Sequence, residues 1–258
     1  MRHHTLLSLA ALGTGAILAG CTTSSSNSST SSSTTVAASS AASSSASSSS
    51  AQGEWRSLID PTMSAWRGYK QQGMPAEWKV ENGVLSKVKS TNDIVTRDQF
   101  ANFELEWEWK IHEGGNAGVF YRGTEEFQKI YFTAPEYQLL DDAKAPDGKS
   151  RLTSAAANYA LYPAPAGVVK PADQWNSSRI VARGPRVEHW LNGQKVVEYE
   201  LWSGVWKQKV GASKFTEWPD YGMARSGHIA LQDHGDPVWF RSIKIRPLGA
   251  SAPATASR

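Results

Sequence analysis

From Phe103 to Ile111 the chain alternates without a break, with Phe103, Leu105, Trp107, Trp109 and Ile111 on one side and Glu104, Glu106, Glu108 and Lys110 on the other. Successive side chains on a strand point to opposite faces, so the pattern fits a strand with one face in a core and the other in water. Turn signals around it point to antiparallel neighbours. Asn82-Gly83 separates 77–81 from 84–88, and Asn192-Gly193 separates 186–191 from 194–201. Asn-Gly accepts the positive φ angles of a tight hairpin turn. Further strands are expected at 116–122, 175–183, 228–232 and 238–246, and no long stretch carries helical apolar spacing. Many short strands with Gly and Asn turns predict an all-β sandwich of two sheets. Two long connections, 142–159 and 203–226, are rich in polar and turn residues and are expected to flank whatever the sheet face binds.

The ends of the chain differ in kind from this middle. Met1-Arg2-His3-His4, the apolar run Leu6 to Leu18 and Leu18-Ala19-Gly20-Cys21 have the zones of a signal peptide, and the run is too short to span a membrane. The last four residues resemble a bacterial lipobox, so residues 1–20 read as a lipoprotein signal and Cys21 as the lipidated first residue of the mature chain. Thr22, not Asp, follows it, which favours the outer membrane facing the periplasm or exterior. Residues 21–52 are nearly all Ser, Thr and Ala and are expected to form a disordered tether. The folded unit is expected at 53–248, with a flexible tail at 249–258. Cys21 is the single cysteine, so no internal disulfide supports the fold. The net charge of +3 is small and the Lys and Arg residues are scattered, which argues against a nucleic-acid partner.

The stretch richest in chemistry is Ala134 to Asp142. Strand parity puts Glu136, Gln138 and Leu140 on one face and Tyr137 and Leu139 on the other, and a bulge after Leu140 would return Asp141 to the polar side. Two carboxyls held beside an amide can have their pKa values driven apart into an acid and a base. The competing reading is an edge strand whose acids sit in water.

The series Gly114-Gly115-Asn116-Ala117-Gly118-Val119-Phe120-Tyr121-Arg122, Glu136-x-Gln138-x-x-Asp141, Trp175-Asn176, Glu188-His189-Trp190-Leu191-Asn192-Gly193 and Gly227-His228-Ile229-Ala230-Leu231-Gln232-Asp233-His234-Gly235 closely resembles the bacterial 3-keto-disaccharide hydrolase domain, in order over nearly all of 55–248. Departures are modest: Ala117 where many relatives carry Ser, and Asp142 where many carry Asn. The resemblance implies a concanavalin A-like jelly-roll of two curved antiparallel sheets, with sugar bound on the concave face. It also implies action on glycosides oxidised at C3, and hence a functional link to a glycoside 3-oxidoreductase that makes them. A ketone at C3 acidifies the C2 proton, so a base, a group for the enolate oxygen and an acid for the leaving group suffice for elimination, which water then completes.

Glu136, Asp141 and His234 are the catalytic candidates, and Arg122, Gln138, Asn116, Trp175 and Gln232 the substrate-binding ones. Arg122 competes with a surface ion pair to Glu125 or Glu126, and His234 with a turn role anchored by Asp233. His189 and His228 read as core histidines. Trp107 and Trp109 belong to the core, while Trp175, Trp202, Trp206 and Trp218 are the better sugar-stacking candidates. No zinc spacing is present. No cofactor is required, although a divalent cation such as calcium would find carboxylates in Asp141-Asp142 or Asp233 and Asp236. Two rival functions share the fold: ordinary laminarinase-like hydrolysis, which wants two carboxyls roughly 5 Å apart, and a non-catalytic carbohydrate-binding lipoprotein.

Overall fold

The structure, a computed structural model, describes residues 52–249. The signal peptide, Cys21, all but the last residue of the expected tether and all but the first residue of the expected tail lie outside them. Thirteen strands follow in order: β1 (Arg56–Ser57), β2 (Trp66–Gly68), β3 (Trp78–Glu81), β4 (Val84–Lys87), β5 (Ile94–Thr96), β6 (Phe103–Ile111), β7 (Asn116–Gly123), β8 (Glu136–Leu140), β9 (Asn176–Arg183), β10 (Arg186–Leu191), β11 (Gln194–Glu200), β12 (His228–Leu231) and β13 (Val238–Pro247). They build two antiparallel sheets, one ordered β11-β10-β9-β6-β13-β4-β3 with β1 added to β13, the other β2-β5-β12-β7-β8. This is the concanavalin A-like jelly-roll sandwich. Both Asn-Gly pairs close hairpins, with φ of 51° and 76° at Asn82 and Gly83 and 49° and 81° at Asn192 and Gly193.

Strand β6 behaves as its alternation requires. Its five apolar residues are buried, and its outward acids are neutralised by bases on the neighbouring strands. Glu104 takes Arg246 and Arg179, Glu106 takes Lys244 at 2.9 Å, and Glu108 takes two bonds of 3.0 Å from Arg241.

The inner face of the second sheet meets β6 across the core. Tyr137 packs edge-on against Trp107 at 4.9 Å. Its hydroxyl lies 2.8 Å from Ser178 Oγ and donates to the Trp190 carbonyl at 3.0 Å, while Trp109 Nε1 donates to the same Ser178. These polar pins satisfy groups that would otherwise be stranded in a dry core. His189 is a core histidine as expected. It contacts the Tyr121 hydroxyl and the Ala156 carbonyl, and burial pulls its pKa down to about 4.

The connection 203–226 is not irregular throughout, because it holds helix α1 (Gly204–Gly211), which starts where Ser203 Oγ accepts the Trp206 N–H at 3.1 Å. Only Trp206 of its residues is buried, so no apolar stripe announced it.

Candidate active site

The outer face of the five-stranded sheet is two rows deep. Register aligns Val95, Ala230, Phe120 and Glu136 across β5, β12, β7 and β8. The first three form an apolar floor beneath Tyr69, Ile130 and Ala134. Two residues along each strand, on the same face, Asp93, Gln232, Gly118 and Gln138 make a polar row. The Gln232 N–H bonds Gly118 at 2.9 Å, and the Asp233 N–H bonds Asp93 at 2.8 Å. Gly118 is where the second row makes room for the first, since a Cβ there would lie 2.4 Å from Glu136 Oε1.

Strand β8 is at the sheet edge but is not open to water. The segment 156–159 runs along it, with Ala156 N–H on the Gln138 carbonyl, Gln138 N–H on Ala157 and Tyr159 N–H on the Glu136 carbonyl. Loop residues therefore cover an acid-bearing strand, and Glu136 is only 7% exposed. It opens into a cleft of about 250 Å³, walled by Tyr131, Tyr159 and Phe215 and lined as well by Asn116 and by the exposed Lys214 and His234. That volume lies below the roughly 300–1,000 Å³ of drug-sized sites and suits one sugar ring.

Burial pushes the Glu136 carboxyl up to about 8, the Lys214 ammonium opposing and the Asp93 and Asp147 charges reinforcing the rise. Its side chain has no ion-pair or hydrogen-bond partner among the described residues. Three amide oxygens of the cleft, Asn116 Oδ1, Gln138 Oε1 and Gln232 Oε1, are likewise buried without a partner among the described residues. Orphan acceptors beside an unpaired carboxyl form a surface suited to donors, which is what sugar hydroxyls supply. The Tyr159 hydroxyl donates to Asp147 at 3.3 Å and is raised to about 12, first by burial and then by Asp147 and Glu136.

Two devices hold the cleft in shape. Loop 232–236, which brings Gln232 and His234 to it, is tied down by Asp233, whose carboxylate takes Lys87 Nζ at 2.6 Å and the N–H groups of Thr91 and Gly235. Burial pushes Asp233 up, yet these partners outweigh it and hold it below the usual carboxylate range. On the other side, Phe215 ends a stack of rings in the order Tyr162, Tyr199, Trp206, Tyr221 and Phe215, the last two 3.9 Å apart.

Residues 54–246 match the 3-keto-alpha-glucoside-1,2-lyase-like domain. The chain belongs to that family. It is 35% identical over 219 residues to a 3-keto-disaccharide hydrolase of Bacteroides thetaiotaomicron, spanning 72% of this chain and 76% of that protein. A solved structure described as a glycosyl hydrolase of Parabacteroides distasonis superposes with a TM-score of 0.71 at 33% identity, over 76% of this chain and 94% of the other. A second from the same organism gives 0.62 at 30% identity, over 76% of this chain and 100% of the other.

Within this 3-keto-glucoside lyase-like domain the expected site divides. Glu136, Gln138, Asn116, Gln232 and His234 converge on one cleft. Asp141 does not join them: β8 ends at Leu140, and its two carboxylate oxygens accept the N–H groups of Gly114 at 2.8 Å and Ala143 at 3.1 Å, anchoring a turn. Arg122, expected to bind substrate, does not line the cleft and is not paired with Glu125 or Glu126. Its φ of 53° lies where the β7–β12 register slips, and that bulge swings the guanidinium inward onto the Ala101 and Gly184 carbonyls, where burial lowers it to about 10. Arg67 holds Glu125 instead.

Trp175 immediately precedes β9 of the other sheet, its ring met by the Lys110 and Arg241 cations. Trp206 is buried in the ring stack, Trp202 is capped by Arg225, and Trp218 stacks on Phe132 at 4.4 Å. The aromatic walls are Tyr131, Tyr159 and Phe215, which the sequence did not single out. Among the described residues no three His, Cys, Asp or Glu side chains gather as a metal cage. The acids expected to serve calcium hold protein groups: Asp142 takes Arg151 and the Ala155 N–H, Asp236 the Asn116 N–H.

Proposed function

We propose that the protein cleaves glycosides whose sugar ring carries a ketone at C3, by elimination followed by hydration. The observation that carries this reading is Glu136, a buried carboxyl with no partner among the described residues and a pKa of about 8, inside a cleft for one ring. A carboxylate of that basicity is a better acceptor of a carbon-bound proton than an ordinary one. Glu136 takes the C2 proton, and the electron pair moves onto the C3 oxygen, where the Lys214 ammonium stabilises the enolate. The pair then returns to form C1=C2 as the C1–O bond breaks, and the departing oxygen takes a proton from His234 at the cleft mouth. Water adds hydroxyl to C1 and hydrogen to C2, so the net reaction is hydrolysis. Family membership and the name of the Bacteroides relative support this substrate class. Retaining hydrolysis of an unoxidised sugar wants a second carboxyl about 5 Å from the first, and the candidate, Asp141, is engaged by the Gly114 and Ala143 N–H groups.

The reading brings a partner and an address with it. A glycoside 3-oxidoreductase supplies the ketone, and lipidation of Cys21 holds the enzyme at the cell envelope, in the outer membrane. The test is release of the aglycone from a chromogenic glucoside and from its 3-keto derivative, measured above the spontaneous rate and with and without chelator. Acceleration of the keto form alone is expected; acceleration of the plain glucoside overturns the reading. Incorporation of labelled fatty acid into the wild-type chain but not into Cys21→Ala checks the anchor.

A further inference from the structure

The polar row on the outer sheet face continues past the cleft. Asp93 stands two strands from Gly118 in the same row, at about 4.8 Å per strand. It opens into a second hollow of about 230 Å³, nearly the volume of the first, lined by Gln71, Asn92, Gln128 and Lys129 as well. The two hollows share one wall segment, because Lys129 borders one and Tyr131, two residues on, borders the other. Their charges also reach each other: the Asp93 carboxylate helps raise Glu136, and the Lys129 ammonium acts on Asp93. Asp93 is 7% exposed, and its Oδ1 holds the Asp233 N–H beside Gln232. The second hollow is thus fixed to the same loop as the first.

We infer that this hollow is the subsite for the leaving group, and that it takes a second neutral hexose ring. The inference rests on the proposed function for the adjoining cleft and adds to it where the substrate's other half sits. Carboxylate, ammonium and amide side chains around a one-ring volume match the donors and acceptors of a sugar's hydroxyls. They offer little to a flat aryl group, because Tyr69, the one ring bordering the hollow among the described residues, is 8% exposed. Gln128, Lys129 and Asn92 are exposed, so changing them leaves the core intact.

The test compares a 3-keto disaccharide with methyl 3-keto-glucoside, which lacks the second ring. In the double variant Gln128→Ala/Lys129→Ala, and separately in Asn92→Trp, which fills the hollow, kcat/KM for the disaccharide is expected to fall about tenfold, the loss of two ordinary hydrogen bonds. For the methyl glycoside it is expected to stay within about twofold. Equal losses on both substrates, or none on the disaccharide, overturn the subsite. Calorimetric titration of Glu136→Gln protein with the plain disaccharide and with methyl glucoside gives a readout independent of turnover. A tighter disaccharide that loses its advantage in the double variant supports the subsite even if the unmodified protein turns over neither keto substrate, the result that defeats the catalytic reading alone.

Discussion

The two sheets carry glutamates in similar strand settings and treat them in opposite ways. On β6, Glu104, Glu106 and Glu108 each face a cation across the ladder, and the Arg241 hydrogen bonds hold Glu108 below the usual carboxylate range. On β8, Glu136 sits under loops with no cation bonded to it, and burial raises it to about 8. The paired acids lie on a face the alternation marked as wet. The solitary one lies on a strand whose every residue is buried. Acidity of composition therefore says little about function here; the informative acid is the one the fold leaves unneutralised at a cost.

Breaking the solitary acid has the largest expected effect. Glu136→Gln keeps shape and removes the titrating group, so single-turnover cleavage of a 3-keto glycoside should fall about 10²–10⁴-fold with the circular dichroism spectrum unchanged. Retained turnover would make Glu136 merely another sugar ligand. Unpairing a buried acid comes next. Lys87 and Asp233 are 0% and 4% exposed, so Lys87→Met leaves a lone carboxylate inside and should cost about 3–5 kcal/mol in urea denaturation.

The comparison also has a pH signature. Glu136 binds its proton more tightly folded than unfolded, where its pKa is about 4.3. Its contribution to stability is fully present below that unfolded value and declines as pH rises towards about 8, by at most about 1.4 kcal/mol per unit. Denaturation of wild type against Glu136→Gln between pH 5 and pH 9 should show that decline only in the wild type. Glu108 has the opposite sign, its depressed pKa giving stability that is lost as pH falls through the folded value. The smallest effect follows: Glu108→Gln should change stability by no more than about 1 kcal/mol and turnover not at all, because its pair with Arg241 is partly exposed.

What was legible in the chain was what local periodicity carries. The β6 alternation and the two Asn-Gly turns are set by residues adjacent in sequence, and both stand as read. Glu136 and Gln138 were visible because polar side chains on an otherwise apolar strand contradict its pattern. The end of β8 at Leu140 is not marked in the sequence, and Asp141, expected to reach the polar side through a bulge, instead anchors a turn through the Gly114 and Ala143 N–H groups. Arg122, expected to bind substrate, is carried inward at a bulge that its neighbours in sequence do not announce. Lys214, Phe215, Tyr159 and Tyr131 reach the cleft from connections whose paths depend on distant packing. For 142–159 and 203–226 the sequence showed that they are long and would flank the site, not which of their residues reach it, and it did not mark the stretch that carries Tyr131.

Because Phe215 is clamped at the end of a five-ring column, with Tyr221 stacked 3.9 Å behind it, that wall of the cleft is rigid before any ligand arrives. Docking a ring against it freezes no new rotors there, and the ordering penalty of about 0.5–1.5 kcal/mol for a loose side chain is absent from the binding free energy. Shortening the column from its far end, at Tyr162 or Tyr199, would restore that penalty without touching an atom the substrate meets.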